Sequence, residues 1–150
     1  MEYQDVVRDF AVRTKKNLQA VEHLLAQGSE VYETTQLINS MLGLLVFPRE
    51  EFVSRIPKIP FGELTRTGWP SPRVRNGFPQ VEDLSQLVRY LRNAIAHFNI
   101  EFLVDDHRHI SGLRVWNTGR SGKKTWDAEL TLSDLRRIAD HFTDLLLGPV

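Results

Sequence analysis

Val6/Val7, Phe10/Ala11, Thr14, Leu18, Val21 and Leu24/Leu25 recur at the spacing that gathers side chains on one face of an α-helix, which predicts a helix from about Tyr3 to Gln27. Gly28 supplies its stop. Ser29 or Glu30 then opens a second helix that runs to about Phe47. Its latter half, Leu37 to Phe47, is apolar nearly all round, as in a central, buried helix. So short a link sets the two helices antiparallel. Pro48 ends the run or starts a brief helical turn through Arg49, Glu50, Glu51 and Phe52.

The periodicity dissolves between Ser54 and Gln80. Five of the seven prolines (Pro57, Pro60, Pro70, Pro72 and Pro79) lie there, with Gly62, Gly68 and Gly77. A loop of this length inside one domain is expected to be a lid, a binding segment or a mobile insertion. A third main helix spans about Val81 to Phe98. After it the period drops to two, predicting strands over Asn99–Val104, Ile110–Trp116 and Lys124–Leu130, separated by turn-forming clusters. They make a small three-stranded antiparallel meander. Thr131, with Asp134 three residues on, resembles a capping box for a last helix to Leu147, closed by Gly148 and Pro149. Leu132, Leu135, Ile138/Ala139, Phe142 and Leu145/Leu146 form its inward stripe. The expected fold class is mainly α, in one domain over residues 1–150.

The 150 residues are 41% apolar and 25% charged, in keeping with a folded globular chain. No apolar run is long enough to span a bilayer, and the start lacks a basic segment followed by an apolar one. The expected setting is cytoplasmic, with no membrane partner. Absence of cysteine excludes disulfides, zinc–thiolate sites and cysteine nucleophiles. Nineteen basic and nineteen acidic residues cancel, yet their distribution is uneven. His107 to Trp126 holds no acid but includes Arg108, Arg114, Arg120, Lys123 and Lys124. Leu64 to Val81 holds none either, with Arg66, Arg73 and Arg75. Such stretches are either solvated loops or local patches that attract phosphate. Arg89, Arg114, Lys123 and Lys124 are the candidate RNA contacts.

The stretch with most chemical content is Leu84 to Phe98, LSQLVRYLRNAIAHF. At roughly 100° per residue, Leu84, Leu87, Val88, Leu91, Ile95 and Phe98 form the core stripe. Asn93 and His97, one turn apart, share the opposite face with Gln86, Arg89 and Tyr90. Arg92 stands on the flank, roughly 140° from His97. One straight helix therefore does not stack the two groups, whereas two copies meeting about a twofold axis bring both pairs into one cleft. Ala94 and Ala96 leave room for a partner helix to approach. Histidine exchanges a proton near neutral pH, and arginine holds a phosphate through two parallel hydrogen bonds. RNA brings its own nucleophile, the 2′-hydroxyl. Spacing alone leaves two readings open, a solvated helix face or a phosphodiester-cleaving site.

The segment Arg92-Asn93-Ala94-Ile95-Ala96-His97 resembles the R-x(4–6)-H motif of the HEPN superfamily, including the polar residue directly after the arginine. Its placement near the end of a late helix, after an antiparallel helical pair and before another helix, is similar too. Tyr32 to Pro48 looks like the second helix of a plasmid- and bacterium-associated HEPN subgroup. The resemblance implies an antiparallel helical bundle that forms a homodimer, with two motifs composing a metal-independent endoribonuclease site of the kind found in toxin–antitoxin and phage-defence systems. It implies Arg92 on the scissile phosphate, His97 in proton transfer and Asn93 in support. The products implied are a 2′,3′-cyclic phosphate and a 5′-hydroxyl. No cofactor is implied, and an antitoxin or other partner protein is compatible with it. Some HEPN domains instead bind RNA or a protein without cutting, or only dimerise. The three-stranded insert before the last helix departs from the minimal bundle.

Other residues divide between roles. Asn39 and Ser40 interrupt an apolar helix, either to support the motif helix or as a packing hydrogen bond beside Gly43. His107 and His109 flank Arg108 in a turn, without a third metal ligand nearby in sequence. Trp69, Phe78, Trp116 and Trp126 lie in or near the basic stretches, as core, loop anchors or base-stacking surfaces. His23 and His141 have no matching ligand spacing. No phosphate-loop, nucleophile-elbow, HExxH or EF-hand pattern occurs.

Overall fold

The computed structural model describes residues 2–48 and 50–148. Helix α1 spans Tyr3–Ala26 and α2 spans Glu33–Val46, with the short α3 at Glu50–Val53 and α4 at Phe61–Arg66. Strand β1 is Arg73–Val74, and α5 follows at Leu84–Ala96. Strands β2 (Ile100–Val104), β3 (Ile110–Thr118) and β4 (Lys124–Thr131) lead to α6 at Leu132–Leu147. Pro149 and Arg49, named above as a helix stop and part of a turn, lie outside the described residues.

Three of the long helices start or stop where local chemistry says they should. The Thr131 side chain accepts from the Asp134 amide at 3.0 Å while Asp134 accepts from the Thr131 amide at 2.9 Å, a complete capping box for α6. Asp83 caps α5 by accepting from the Gln86 amide at 2.8 Å. Gly28, at φ +82, ends α1. The second helix begins at Glu33, later than Ser29 or Glu30, and no side chain caps it.

The four long helices pack on one another, and α5 and α6 lie against the sheet. Alternation sets which side chains reach that interface: Leu113, Val115 and Asn117 of β3 and Trp126, Ala128 and Leu130 of β4 are all buried. Val7 and Ala11 of α1, Leu37, Met41, Leu44 and Leu45 of α2, and Leu87, Val88 and Leu91 of α5 fill the helical side of the same core.

The sheet has four strands, not three, in the order β1-β4-β3-β2, antiparallel throughout. Its extra member comes from the proline-rich segment, where Arg73 and Val74 pair with Glu129 and Ala128. Two residues are too few to show alternation. That segment is not structureless either. Leu64 of α4 and Trp69 are buried, and Trp69 stacks on His141 of α6 with ring centroids 5.1 Å apart. The Leu84 amide donates to Ile59 and the Phe61 amide to Glu82, tying the loop to the start of α5.

Two predicted stripes end too soon. Leu24 and Leu25 are 40% and 43% exposed at the last turn of α1. Phe98, placed on the core stripe by helical counting, is 72% exposed. Helix α5 stops at Ala96, and Phe98 takes a left-handed conformation at φ +56.

At Gly112 a side-chain carbon would fall against the Leu130 carbonyl across the β3–β4 ladder. Gly112→Ala is therefore expected to lower unfolding stability by about 1–3 kcal/mol, an overpacking effect, read as a lower urea midpoint at an unchanged slope.

Candidate active-site cleft

Burying Leu84, Leu87, Val88, Leu91, Ala94 and Ile95 turns the other side of α5 outward. Arg89, Tyr90, Asn93 and His97 then line a cleft of about 530 Å³. Its far wall comes from the sheet: Asn99 after the helix, Asn117, Thr118, Gly119 and Arg120 at the β3 end, and Thr125 of β4. Among the described residues the lining contains no carboxylate. Neither Arg89 nor Arg120 forms an ion pair with a described residue. The cleft is therefore locally cationic on a protein of zero formal net charge.

His97 sits where the helix ends. Its amide donates to Asn93, the Phe98 amide to Ile95, and the Asn99 amide to Ala94 at 2.8 Å. This is a Schellman closure with Phe98 in the position that usually holds glycine. The reversal aims the chain into β2 and brings Asn99 beside His97. Tyr90, behind Asn93, is braced by Trp126 at 4.8 Å between ring centroids. Burial, and then the Glu82 carboxylate, raises the Tyr90 phenol above its ordinary pKa.

Arg92 does not line this cleft. Its side chain is 17% exposed, and its guanidinium is paired with Glu50 of α3 at 2.5 Å. Within one chain the structure joins Asn93 and His97 but places Arg92 elsewhere. Ala94 is fully buried and cannot face a partner helix, while Ala96 is exposed.

The other candidates separate. Arg114 and Lys124 are drawn to Asp127 on the opposite face of the sheet, Arg114 by two bonds of 3.0 and 2.8 Å. Both also flank the Trp116 ring. Asp127 is only 2% exposed, and hydrogen bonding from Arg114 lowers its pKa despite burial. Lys123 is exposed in the β3–β4 turn, beside Arg120 but not in the cleft lining. Ser40 is buried and donates to the Gln36 carbonyl at 2.8 Å, so its hydroxyl is used within α2; Asn39 is exposed. His107 and His109 stand on an exposed turn organised by Asp105. Phe78 is partly buried, and Trp69 and Trp126 are core. Among the described residues no cluster of three or more potential ligands could hold a metal ion.

Asn99, Asn117 and Arg120 are cleft residues that sequence reading missed. Arg120 had one signal, its place in the acid-free stretch, but its proximity to His97 depends on how the sheet folds back on α5.

The molecule is a helical bundle beside a small sheet, with Asn93 and His97 on the outer face of α5 and Arg92 turned to Glu50. The chain belongs to the HEPN family described as HEPN pEK499 p136, whose model matches residues 1–148. No curated protein and no solved structure gives a significant match. HEPN domains are often ribonucleases or toxins and commonly dimerise. No described helix is long and apolar enough to cross a membrane.

Two substitutions probe this local chemistry. Phe98→Gly is expected to raise unfolding stability by about 0.5–1 kcal/mol, since the left-handed strain goes and little buried surface is lost; an unchanged or lower urea midpoint would contradict the assignment. Asp127 has a folded-state pKa below its unfolded value. Its contribution is therefore complete above about pH 4 and is lost as pH falls through the depressed folded value. Asp127→Asn should lower stability at neutral pH and flatten the acid limb of a stability–pH curve.

Proposed function

We propose that the protein is a metal-independent endoribonuclease, cytoplasmic and acting as a toxin or phage-defence effector, with its site composed across a homodimer. The observation that carries this reading is the acid-free, cationic cleft shared by Asn93 and His97 in a chain of the HEPN family. The substrate 2′-oxygen forms a bond to phosphorus as the bond from phosphorus to the 5′-oxygen breaks. The proton leaves the 2′-hydroxyl and one is delivered to the departing 5′-oxygen, giving a 2′,3′-cyclic phosphate and a 5′-hydroxyl. His97 serves the proton transfer and Asn93 supports it. Arg92 stabilises the charge on the phosphoryl oxygens. In a composite site, the guanidinium and the imidazole acting on one phosphate come from different protomers, which suits an Arg92 turned away from the His97 of its own chain. Arg89 and Lys123 extend the RNA contact, and a cognate antitoxin would act by covering this cleft.

A second reading, a non-catalytic HEPN module that binds RNA or a protein, is favoured by the Arg92–Glu50 pair, which neutralises the guanidinium.

Incubating mixed RNAs with purified protein in EDTA separates the two. The wild type should cut, and His97→Ala and Arg92→Ala should each be slower by roughly 10²–10⁴-fold. Equal cleavage by all three proteins would remove the proposed site; no cleavage by any would favour the binding module. Light scattering should give a dimer, and a strict monomer at assay concentration would defeat the composite arrangement.

A further inference from the structure

The wall of the cleft opposite His97 is built to a degree that catalysis at the helix does not require. Asn117 is 8% exposed, and its Nδ2 donates to the Tyr90 carbonyl at 3.3 Å. A carbonyl only accepts, so this contact fixes which end of the amide is nitrogen. The oxygen end, Oδ1, accepts no hydrogen bond from a described residue and is not sealed from solvent. A largely buried amide oxygen without a protein donor, in a residue that lines the cleft, is a fixed acceptor for a ligand N–H.

Arg120 lines the same cleft. The turn that carries it is closed by the Gly119 amide donating to Lys123 at 2.8 Å and the Gly122 amide donating to Gly119 at 3.0 Å. Gly122 adopts φ +79 to complete it. The backbone beneath Arg120 is therefore held, while the residue is exposed and has no carboxylate partner among the described residues. Arg89 supplies a second guanidinium to the same cleft, from α5. Two cations suit a phosphate. Three neutral amides (Asn93, Asn99 and Asn117) suit the edge of a base, which presents donors and acceptors side by side. The volume, about 530 Å³, lies in the usual range for a small-ligand site.

We propose that the β3–β4 turn makes this cleft a nucleotide subsite, in which Arg120 and Arg89 bind a phosphate of single-stranded RNA and Asn117 Oδ1 accepts from an N–H on the adjoining base. The proposal rests on the ribonuclease reading for the identity of its ligand but not on cleavage. It assigns substrate holding to the sheet insert, and makes Arg120 a substrate-binding residue supplied in the same chain as His97.

The test uses the full chain carrying His97→Ala, so that RNA is held and not cut. Binding of a short single-stranded oligoribonucleotide is measured by anisotropy against salt. Arg120→Ala should weaken binding about tenfold, the scale of one charge-assisted contact, and reduce the salt slope by about 0.7, the value for one phosphate on a single strand. Arg120→Lys should recover the slope but not the full affinity. Lys58→Ala, an exposed cation outside the cleft, should change neither. An Arg120→Ala protein that binds within twofold of its parent, or loses no more than Lys58→Ala, overturns the proposal. Competition by mononucleotides, ribose 5-phosphate and inorganic phosphate tests the base contact: mononucleotides should compete best, and equal competition by all three removes Asn117 from the site.

Kinetics keep the two failures apart. In a cutting wild type, Arg120→Ala should raise KM about tenfold and leave kcat within about threefold. His97-dependent cleavage indifferent to Arg120 would sink the subsite and spare the nuclease. Arg120-dependent binding without any cleavage would sink the nuclease and spare the subsite.

Discussion

The burial of one stripe of α5 fixes where every polar group on that helix can go. Leu84, Leu87, Val88, Leu91, Ala94 and Ile95 are packed against α2 and the sheet, so a helical repeat of 3.6 leaves Arg89, Asn93 and His97 no direction but outward. Rotating the helix to turn Arg92 into the cleft would carry His97 out of it and expose part of that stripe, at about 25 cal/mol for each Å² of apolar surface returned to water. The core therefore decides which side chains of the motif a single chain can unite. Arg92 instead finds Glu50 at the edge of the bundle.

The sheet is more than a departure from a helical bundle. Its inner face seals the core through Leu113, Val115, Trp126, Ala128 and Leu130. At the end of that same face the pattern changes to polar, and Asn117 reaches across to the Tyr90 backbone. One amide thus docks the strand on the helix and leaves an acceptor in the cleft. On the outer face the charges are already matched, with Arg114 and Lys124 held by buried Asp127 and Arg75 by Glu129. Basic residues adjacent in sequence are separated in this way into spent and unspent cations. Arg114 and Lys124 are neutralised by position, whereas Arg120, at the turn, forms no ion pair with a described residue.

Much of the architecture could be read directly from residue patterns. The long helices announced themselves through apolar spacing, and Thr131 with Asp134 marked the start of α6. Strands β3 and β4 were visible because one face of each is buried, and β2 through its run of β-branched and aromatic residues, although none of them is fully buried. What escaped had a common cause. Strand β1 exists only because β4 offers it an edge, and α4 is held by Leu64 and Trp69 packing into a core assembled from distant segments. Phe98 was misplaced because helical counting assumes that the helix continues, whereas the closing hydrogen bonds turn it out of the stripe two residues after the last helical one.

By itself the sequence determined the helical class, the stripe that α5 buries, the HEPN motif and the face on which Asn93 and His97 stand. These follow from interactions between residues a few positions apart, which periodicity encodes. The tertiary structure alone decided that Arg92 pairs with Glu50, that Arg114 is consumed by Asp127, and that Arg120, Asn99 and Asn117 complete the cleft. Each of those outcomes is a choice of partner across the fold, made by packing geometry and by which charges lie within hydrogen-bonding reach, and no local pattern records it.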